Sequence, residues 1–358
     1  MTNSFHELPP AIQSSAAWYG PTLAKRNDWI EELSELEISE LETATKRLAD
    51  AGIEIPSIRS ADFPLPTFGN RLRRILDEVL NGRGFALIRG LPLECWSRLE
   101  SAIAFYGLGA HLGNARSQNA AGHVLGHVRD LGLSSHDPNV RIYQTHERQT
   151  YHTDSCDIVG LLCLQPAKSG GLSSLVSSVT IFNEMLKRRP DLLAELFQPI
   201  ETDRRGEIPE GAKPYFSIPV FNWHAGLLSA IYQRQYIESA RRFAEVPSLT
   251  PRQIEALDLF DSLANDPAIH LNMEFRRGDV QLVHNHTLLH DRTAFEDWPE
   301  PERRRHLLRL WLAMPEARPL PPVFAERYGS ITPGNRGGVI VKDTQLVAPL
   351  DTEPERFG

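Results

Sequence analysis

Apolar positions along the chain follow two different rhythms. Over 30–51 they fall three and four apart, at Leu41, Ala44, Leu48 and Ala51, with Gly52 as a stop, which predicts an amphipathic helix. The Pro-rich stretch "IPSIRSADFPLPTFG" leads to a second predicted helix, whose Leu72, Ile75, Leu76, Val79 and Leu80 share one face. "RGFALIRGLP" reads as a short apolar strand between glycines, and 95–112 as a further helix ending near "GLGAHLG". Those closing glycines lack the G-x-G-x-x-G spacing and follow a helix, so they predict no nucleotide loop.

From 140 onward the rhythm shortens. "VRIYQT", "DIVGLLCL", "SSLVSSV", "YFSIPVF", "LLSAIY", "HLNMEF", "DVQLVHN" and "HLLRLWLAM" follow one another, punctuated by Gly, Pro, Asn and Asp. Many short strands with turn signals between them predict a mainly β barrel or jelly-roll core. Helical patterns interrupt it at 180–197 and 234–264, and a Pro-rich tail runs on from Met314. The expected organisation is one compound domain. A helical extension and connector occupy 1–69, a β domain with a helical insertion at about 180–265 occupies 70–315, and the tail over 316–358 packs on the same domain.

Composition narrows the function classes. Of 358 residues, 41% are hydrophobic and 23% charged, and the net charge is −8, so a nucleic-acid or anionic-membrane surface is not expected. The densest basic cluster is Arg303–Arg304–Arg305. Cys95, Cys156 and Cys163 form no CxxC pair and predict no disulfide framework. "MTNSFHELPPAIQSSAAWYG" has no basic region followed by an apolar one, and no run approaches the roughly 18 apolar residues of a membrane span, so a cytoplasmic protein is expected.

The chemistry begins at "RQTYHTDSCDIVGLLCL", where His152 and Asp154 stand two apart before an apolar run. On a strand, residues i and i+2 share a face, which suits two ligands of one metal. The triplet alone decides nothing, because chance supplies roughly one or two H-x-[DE] matches in a chain of this composition. The segment 276–312, "RRGDVQLVHNHTLLHDRTAFEDWPEPERRRHLLRLWLA", adds His290 and an arginine-bearing strand. Arg305 and Arg309 are four apart in otherwise apolar surroundings. A buried arginine requires an anion, and a bound dicarboxylate would supply one.

Taken in order, "GFALIRG", "YHTD", "GGLSSLVSS", "GD" before "NHTLLH", and "RRHLLRLWL" make the stretch 70–315 similar to the taurine/2-oxoglutarate and aryloxyalkanoate dioxygenase family. The resemblance implies a double-stranded β-helix (jelly-roll, cupin-like) core, Fe(II), and the co-substrates 2-oxoglutarate and O₂. It also implies C–H oxidation, by default hydroxylation, with release of succinate and CO₂. By motif position it implies His152, Asp154 and His290 as iron ligands, His290 standing at the histidine of N-x-x-x-x-H-x-R. Arg305, with Arg304 as its rival, would hold the distal carboxylate of 2-oxoglutarate together with Ser174, or Ser173 if the motif slips by one. Arg309 would serve co-substrate or substrate, and Arg148 and Asn285 are expected as substrate contacts. The stretches 200–235 and 111–148 would close the pocket, with polar candidates in "HVLGHVRD" and "THERQ" of the latter.

Other histidines have plainer expectations. His286 is the less favoured third ligand, His123 and His127 have zincin spacing without the Glu, and Asp157 reads as a local hydrogen-bonding carboxylate. The expected substrate is a small anionic or zwitterionic compound, and relatives of this kind are often homo-oligomers. A divalent-metal hydrolase or isomerase on a cupin-like barrel stays open at this stage, as does an inactive binding module.

Overall fold

The computed structural model describes residues 8–134 and 140–351. The first seven residues of the N-terminal stretch read above, five residues of the 111–148 segment and the last seven of the tail lie outside it.

The predicted first helix is two elements. Residues Ile30–Glu32 form strand β1, parallel to β2 (Phe85–Arg89), and the helix, α1, spans only Glu35–Asp50. Ser34 caps it in a reciprocal box with Glu37, a Ser-x-x-Glu signal that fixes the helix start. The helices α2 (Phe68–Asn81) and α3 (Arg98–Leu112) follow, the latter opened by Ser97 and Glu100 in the same way.

The β core has two layers. Strands β3 (Asn114–Arg116), β4 (Gly126–Val128), β5 (Gln149–His152), β6 (Ile158–Gln165) and β7 (Ser173–Ser177) come before the insertion. Strands β8 (Leu271–Met273), β9 (Val280–His284), β10 (Leu288–Arg292) and β11 (His306–Ala313) come after it. The larger sheet runs β1-β2-β9-β6-β11-β3, with β4 also on β11, and the smaller runs β8-β7-β10-β5. Apart from the β1/β2 pair, all these pairings are antiparallel.

Period-two alternation sorts each strand's side chains between layers. On β11, Leu308, Leu310 and Leu312 pack outward on α1–α3, while Leu307 and Trp311 join Phe85, Val159, Leu175 and Leu288 between the sheets. Val176 and Leu289 leave the smaller sheet on its other side. They meet helices at Ser178–Arg188, Pro190–Glu195 and Pro251–Ala264. The predicted single helix over 180–197 is therefore broken at Pro190, which cannot donate a backbone hydrogen bond.

The insertion is not purely helical. Between its helices lie two antiparallel ribbons, Ile200–Asp203 with Tyr215–Ile218 and Phe221–His224 with Leu227–Ala230. The tail packs on one of them, where Leu320, Phe324 and Tyr328 cluster with Phe216 and Ile218. No helix of the described residues is long and apolar enough to cross a membrane.

Candidate metal centre

His152 is the last residue of β5 and His290 the middle of β10, and the register sets them directly opposite each other. Their rings stand 4.1 Å apart between centroids. Asp154 joins them from beyond the strand: β5 ends at His152, so pleat alternation does not aim this carboxylate. It is aimed by its neighbours. Asn285 Oδ1 accepts from the Asp154 backbone N–H at 2.9 Å, and the Trp311 indole donates to Asp154 Oδ2 at 2.9 Å. Asp154 Oδ1 then lies 3.8 Å from His152 Nε2, and Oδ2 lies 3.7 Å from His290 Nε2. The three ligand atoms all fall within 4.8 Å of one another, and all three residues are buried.

The protonation states suit a cation. His152 Nδ1 lies 2.8 Å from the Thr150 carbonyl, which makes Nδ1 the protonated nitrogen and leaves the Nε2 lone pair for a ligand. In the described structure the Gln149 amide donates to that Nε2 at 2.9 Å. His290 Nε2 is buried with no hydrogen-bond partner, and burial, with His152 and Arg309 nearby, holds its pKa at about 3. Burial likewise lowers His152. For Asp154 burial acts upward, but Arg309, His290 and His152 outweigh it and keep the carboxyl below its usual range. Two neutral imidazoles and a carboxylate on one side of a point are the donor set of a non-haem iron(II) site.

Two cavities meet at this group. The smaller, about 430 Å³, takes His152 and His290 into its wall with Ser173, Arg292, Arg305 and Arg309. The larger, about 790 Å³, takes Asp154 with Gln118, Trp311 and residues of the insertion. Tyr143, Gln149 and Arg309 belong to both. The triad thus stands in the partition.

Arg305 is the sole arginine of its cluster that lines either cavity. Its side chain is buried, Nη1 has no hydrogen-bond partner, and burial brings its pKa down to about 10. Its rival Arg304 is exposed, donating to the carbonyls of Trp298 and Pro299. The glycine pair of "GGLSSLVSS" serves this arginine. Gly171 sits at φ +65, and a Cβ there would come within 3.0 Å of Arg305 Nε. Arg292, two residues after His290, shares the cavity, and burial with Arg305 nearby pulls its pKa to about 9. The uncompensated nitrogen and paired guanidiniums fit a small dianion in this cavity.

Several sequence expectations change here. Ser174 faces away from the cavity: it shares the outer face of β7 with Val176, its Oγ bonds Tyr151 Oη, and a longer contact reaches the Leu271 carbonyl. Ser173, one residue earlier, faces inward and lines the cavity, where it bonds Gln281. Arg148 lines neither cavity, since Asp291 and Asn265 take its guanidinium. Asn285 is fully buried and is spent on the Asp154 backbone and Cys156, a positioning residue rather than a substrate contact. Arg309 does stand beside the centre, with Nη1 3.6 Å from Asp154 Oδ2, and Gln118 accepts from its Nε at 2.7 Å.

The rival histidines are occupied elsewhere. His286 Nε2 pairs with Asp157 at 2.8 Å, and the same carboxylate accepts from Arg336 and from the Met314 backbone. Asp157 is therefore a fully buried hub joining β6, β11 and the tail, a larger role than a local bond. His127 pairs with His306 and the Pro349 carbonyl, and His123 with Asn119. "GFALIRG" and "GD" answer each other: Arg89 binds Asp279 through two 2.8 Å bonds. Trp311 carries no motif signal and Arg292 enters only as the closing arginine of N-x-x-x-x-H-x-R, although each stands two residues from an expected site residue on the same strand. Arg141, Tyr236 and Arg327 carry no local signal.

The chain compares with known proteins as follows. Residues 45–311 match the family model described as "Taurine catabolism dioxygenase TauD, TfdA family". The chain is 31% identical over 329 residues to FR-33289 synthase of Streptomyces rubellomurinus, covering 90% of this chain and 96% of that protein. Its fold is similar to that of an asparagine oxygenase solved with Fe(II), 2S,3S-3-hydroxyasparagine and succinate, with a TM-score of 0.62 at 16% identity. That match covers 79% of this chain and 93% of the other. The non-haem iron oxygenase OrfP, solved with Fe and alpha-ketoglutaric acid, gives a TM-score of 0.58 at 15% identity over 79% and 93%. Donor set, arginine-lined cavity and family match agree: the chain belongs to the TauD/TfdA family and is an iron- and 2-oxoglutarate-dependent dioxygenase.

Proposed function

We propose that this dioxygenase hydroxylates a C–H bond of a small anionic or zwitterionic compound bound in the larger cavity. We assign the iron to His152, Asp154 and His290 and the 2-oxoglutarate to the smaller cavity, its distal carboxylate on Arg305 with Ser173 close by. The observation that carries this reading is the triad in the partition between two cavities, the smaller of which holds the buried Arg305 with an unpartnered nitrogen. Iron held by these three residues would, with 2-oxoglutarate and O₂, supply the oxidant for C–H cleavage, with succinate and CO₂ as co-products.

The chain's own residues hold and shield. Arg305 orients the co-substrate by charge and by its fork of donors. Trp311 and Asn285 fix the Asp154 carboxylate, and Leu161, Leu307 and Phe275 keep water from the smaller cavity. Arg309, bounded by Tyr143 and Trp311, offers a cation to either cavity. A hydrolase or an inactive barrel gives Arg305 no anion to hold. Three unpaired cysteines, two of them buried, support a cytoplasmic setting. The test is a succinate-release screen of small carboxylates, phosphonates, sulfonates and amino acids with Fe(II), O₂ and 2-oxoglutarate. Substrate-dependent succinate supports the reading, and turnover indifferent to Fe(II) and 2-oxoglutarate refutes it.

A further inference from the structure

The larger cavity holds a second group of charges, contributed by the insertion and the tail. Arg141 donates to Tyr236 Oη at 2.6 Å, and its Nη2 lies 2.6 Å from Glu207 Oε1. Arg327, from the short tail helix Ala325–Tyr328, lines the same cavity, yet its guanidinium has no hydrogen bond or ion pair among the described residues. Burial pulls its pKa down, Glu207 offsets part of this, and Arg141 adds to it. Arginine stays protonated regardless. One carboxylate therefore faces two guanidiniums, and one positive charge is left over.

That imbalance has a direction. Arg327 is half-buried beside an apolar wall and has no counter-ion, and the carboxylates lining this cavity are already taken, Glu207 by Arg141 and Asp154 by the metal centre. No lining carboxylate among the described residues is left for a substrate ammonium group, so an anion fits better than a zwitterion. Beside the charges the wall is apolar, with Phe216, Ile218, Val220 and Ile231, and the Arg327 guanidinium lies 5.9 Å from the centroid of the Phe216 ring.

We propose that Arg327, backed by Arg141, anchors a terminal oxyanion of the substrate, which is a short amphiphilic acid. Its charged end rests on the guanidiniums, its apolar chain lies along Phe216, Ile218 and Val220, and the carbon to be oxidised lies beside Asp154 and Trp311. The assignment rests on the oxygenase reading and narrows its substrate class. Carboxylate and phosphonate ends share this chemistry.

The test uses the full chain loaded with Fe(II) and 2-oxoglutarate and three matched series: n-alkyl phosphonates, n-alkanoates and n-alkanamides of four to eight carbons. Succinate release and anaerobic binding calorimetry are the readouts. One or both anion series bind and stimulate succinate release, and which of them leads identifies the headgroup, while the amides do neither. Arg327→Ala raises KM for the responding anion by about 100-fold with little change in kcat, and Arg327→Lys restores part of the loss. The visible absorption of the Fe(II)–2-oxoglutarate complex is unchanged in both variants. Amides as effective as the anions, no binding by either anion series, or an unaltered KM in Arg327→Ala with its absorption intact each overturn the anchor. A wild-type chain that forms no such absorption fails the oxygenase reading instead.

Discussion

The smaller cavity is walled chiefly by side chains from core strands: Ser173 on β7, His290 and Arg292 on β10, Leu307 and Arg309 on β11, with Arg305 just before it. The larger draws on one ribbon of the insertion and the segments flanking the other, the segment before β5 and the tail, with only Gln149, Arg309 and Trp311 on core strands. Both adjoin the same triad. In a β sandwich the pleat and the register dictate where a strand residue points, so a cavity made of strands is fixed by the fold. A cavity made of a ribbon, loops and tail is free to change, and it is the one to which we assign the substrate.

The sharpest way to break the comparison is to remove what the cavities share. Asp154→Ala or His290→Ala is expected to lower kcat/KM by roughly 10³-fold or more and to abolish iron binding, read by metal analysis and succinate release. Next comes the strand-built side. Arg305→Ala should raise KM for 2-oxoglutarate by about 100-fold, while Arg304→Ala leaves it within about twofold. Equal effects of the two would break the assignment of the cavity.

Supports behind the partition give smaller effects. Asn285→Ala should weaken iron affinity by roughly 10- to 100-fold, because the Asp154 backbone loses its clamp. Asp157→Asn should destabilise the fold by about 3–5 kcal/mol in denaturant titration, since Arg336 and His286 lose a fully buried partner. If the variant does not fold at all, Arg336→Met tests the same hub from the other side.

The mildest probe is pH. His306, next to Arg305, is held down to about 2 by burial, with His127, Arg98 and other cations adding to it. Its ordinary value in an unfolded chain is near 6.5. Below that value the unfolded chain takes up a proton that the folded chain refuses, so stability falls as pH falls. The loss from this group is about 3 kcal/mol by pH 4. His306→Asn should flatten that slope, read by denaturant midpoints between pH 7 and 4.

Legibility in the sequence follows the same division. His290, Arg305 and Arg309 line the cavities as motif order and strand alternation would have them. Ser173 was separated from Ser174 only by register, which a sequence states to within one residue. Asp154 reached the right place for a reason that the pleat does not contain, namely Asn285 and Trp311. Arg148 and Asn285 looked like substrate contacts because a polar residue near a motif does not announce whether protein or ligand will take its hydrogen bonds. Arg141, Tyr236 and Arg327 meet only after the insertion and the tail fold back, across as many as 186 positions, and no local pattern records that. The β1 strand and the break at Pro190 were hidden for a simpler reason: helical periodicity blurs across short elements, while capping and proline chemistry mark their ends.

The central claim is that one iron site joins the two cavities, with 2-oxoglutarate on the Arg305 side. The most direct measurement is an anaerobic titration of the metal-free chain with Fe(II) and then 2-oxoglutarate, followed by visible absorption. The account predicts a charge-transfer band that saturates at one iron per chain, is absent in His290→Ala, and requires far more 2-oxoglutarate in Arg305→Ala. A band that persists without His290, or that ignores the loss of Arg305, would contradict it.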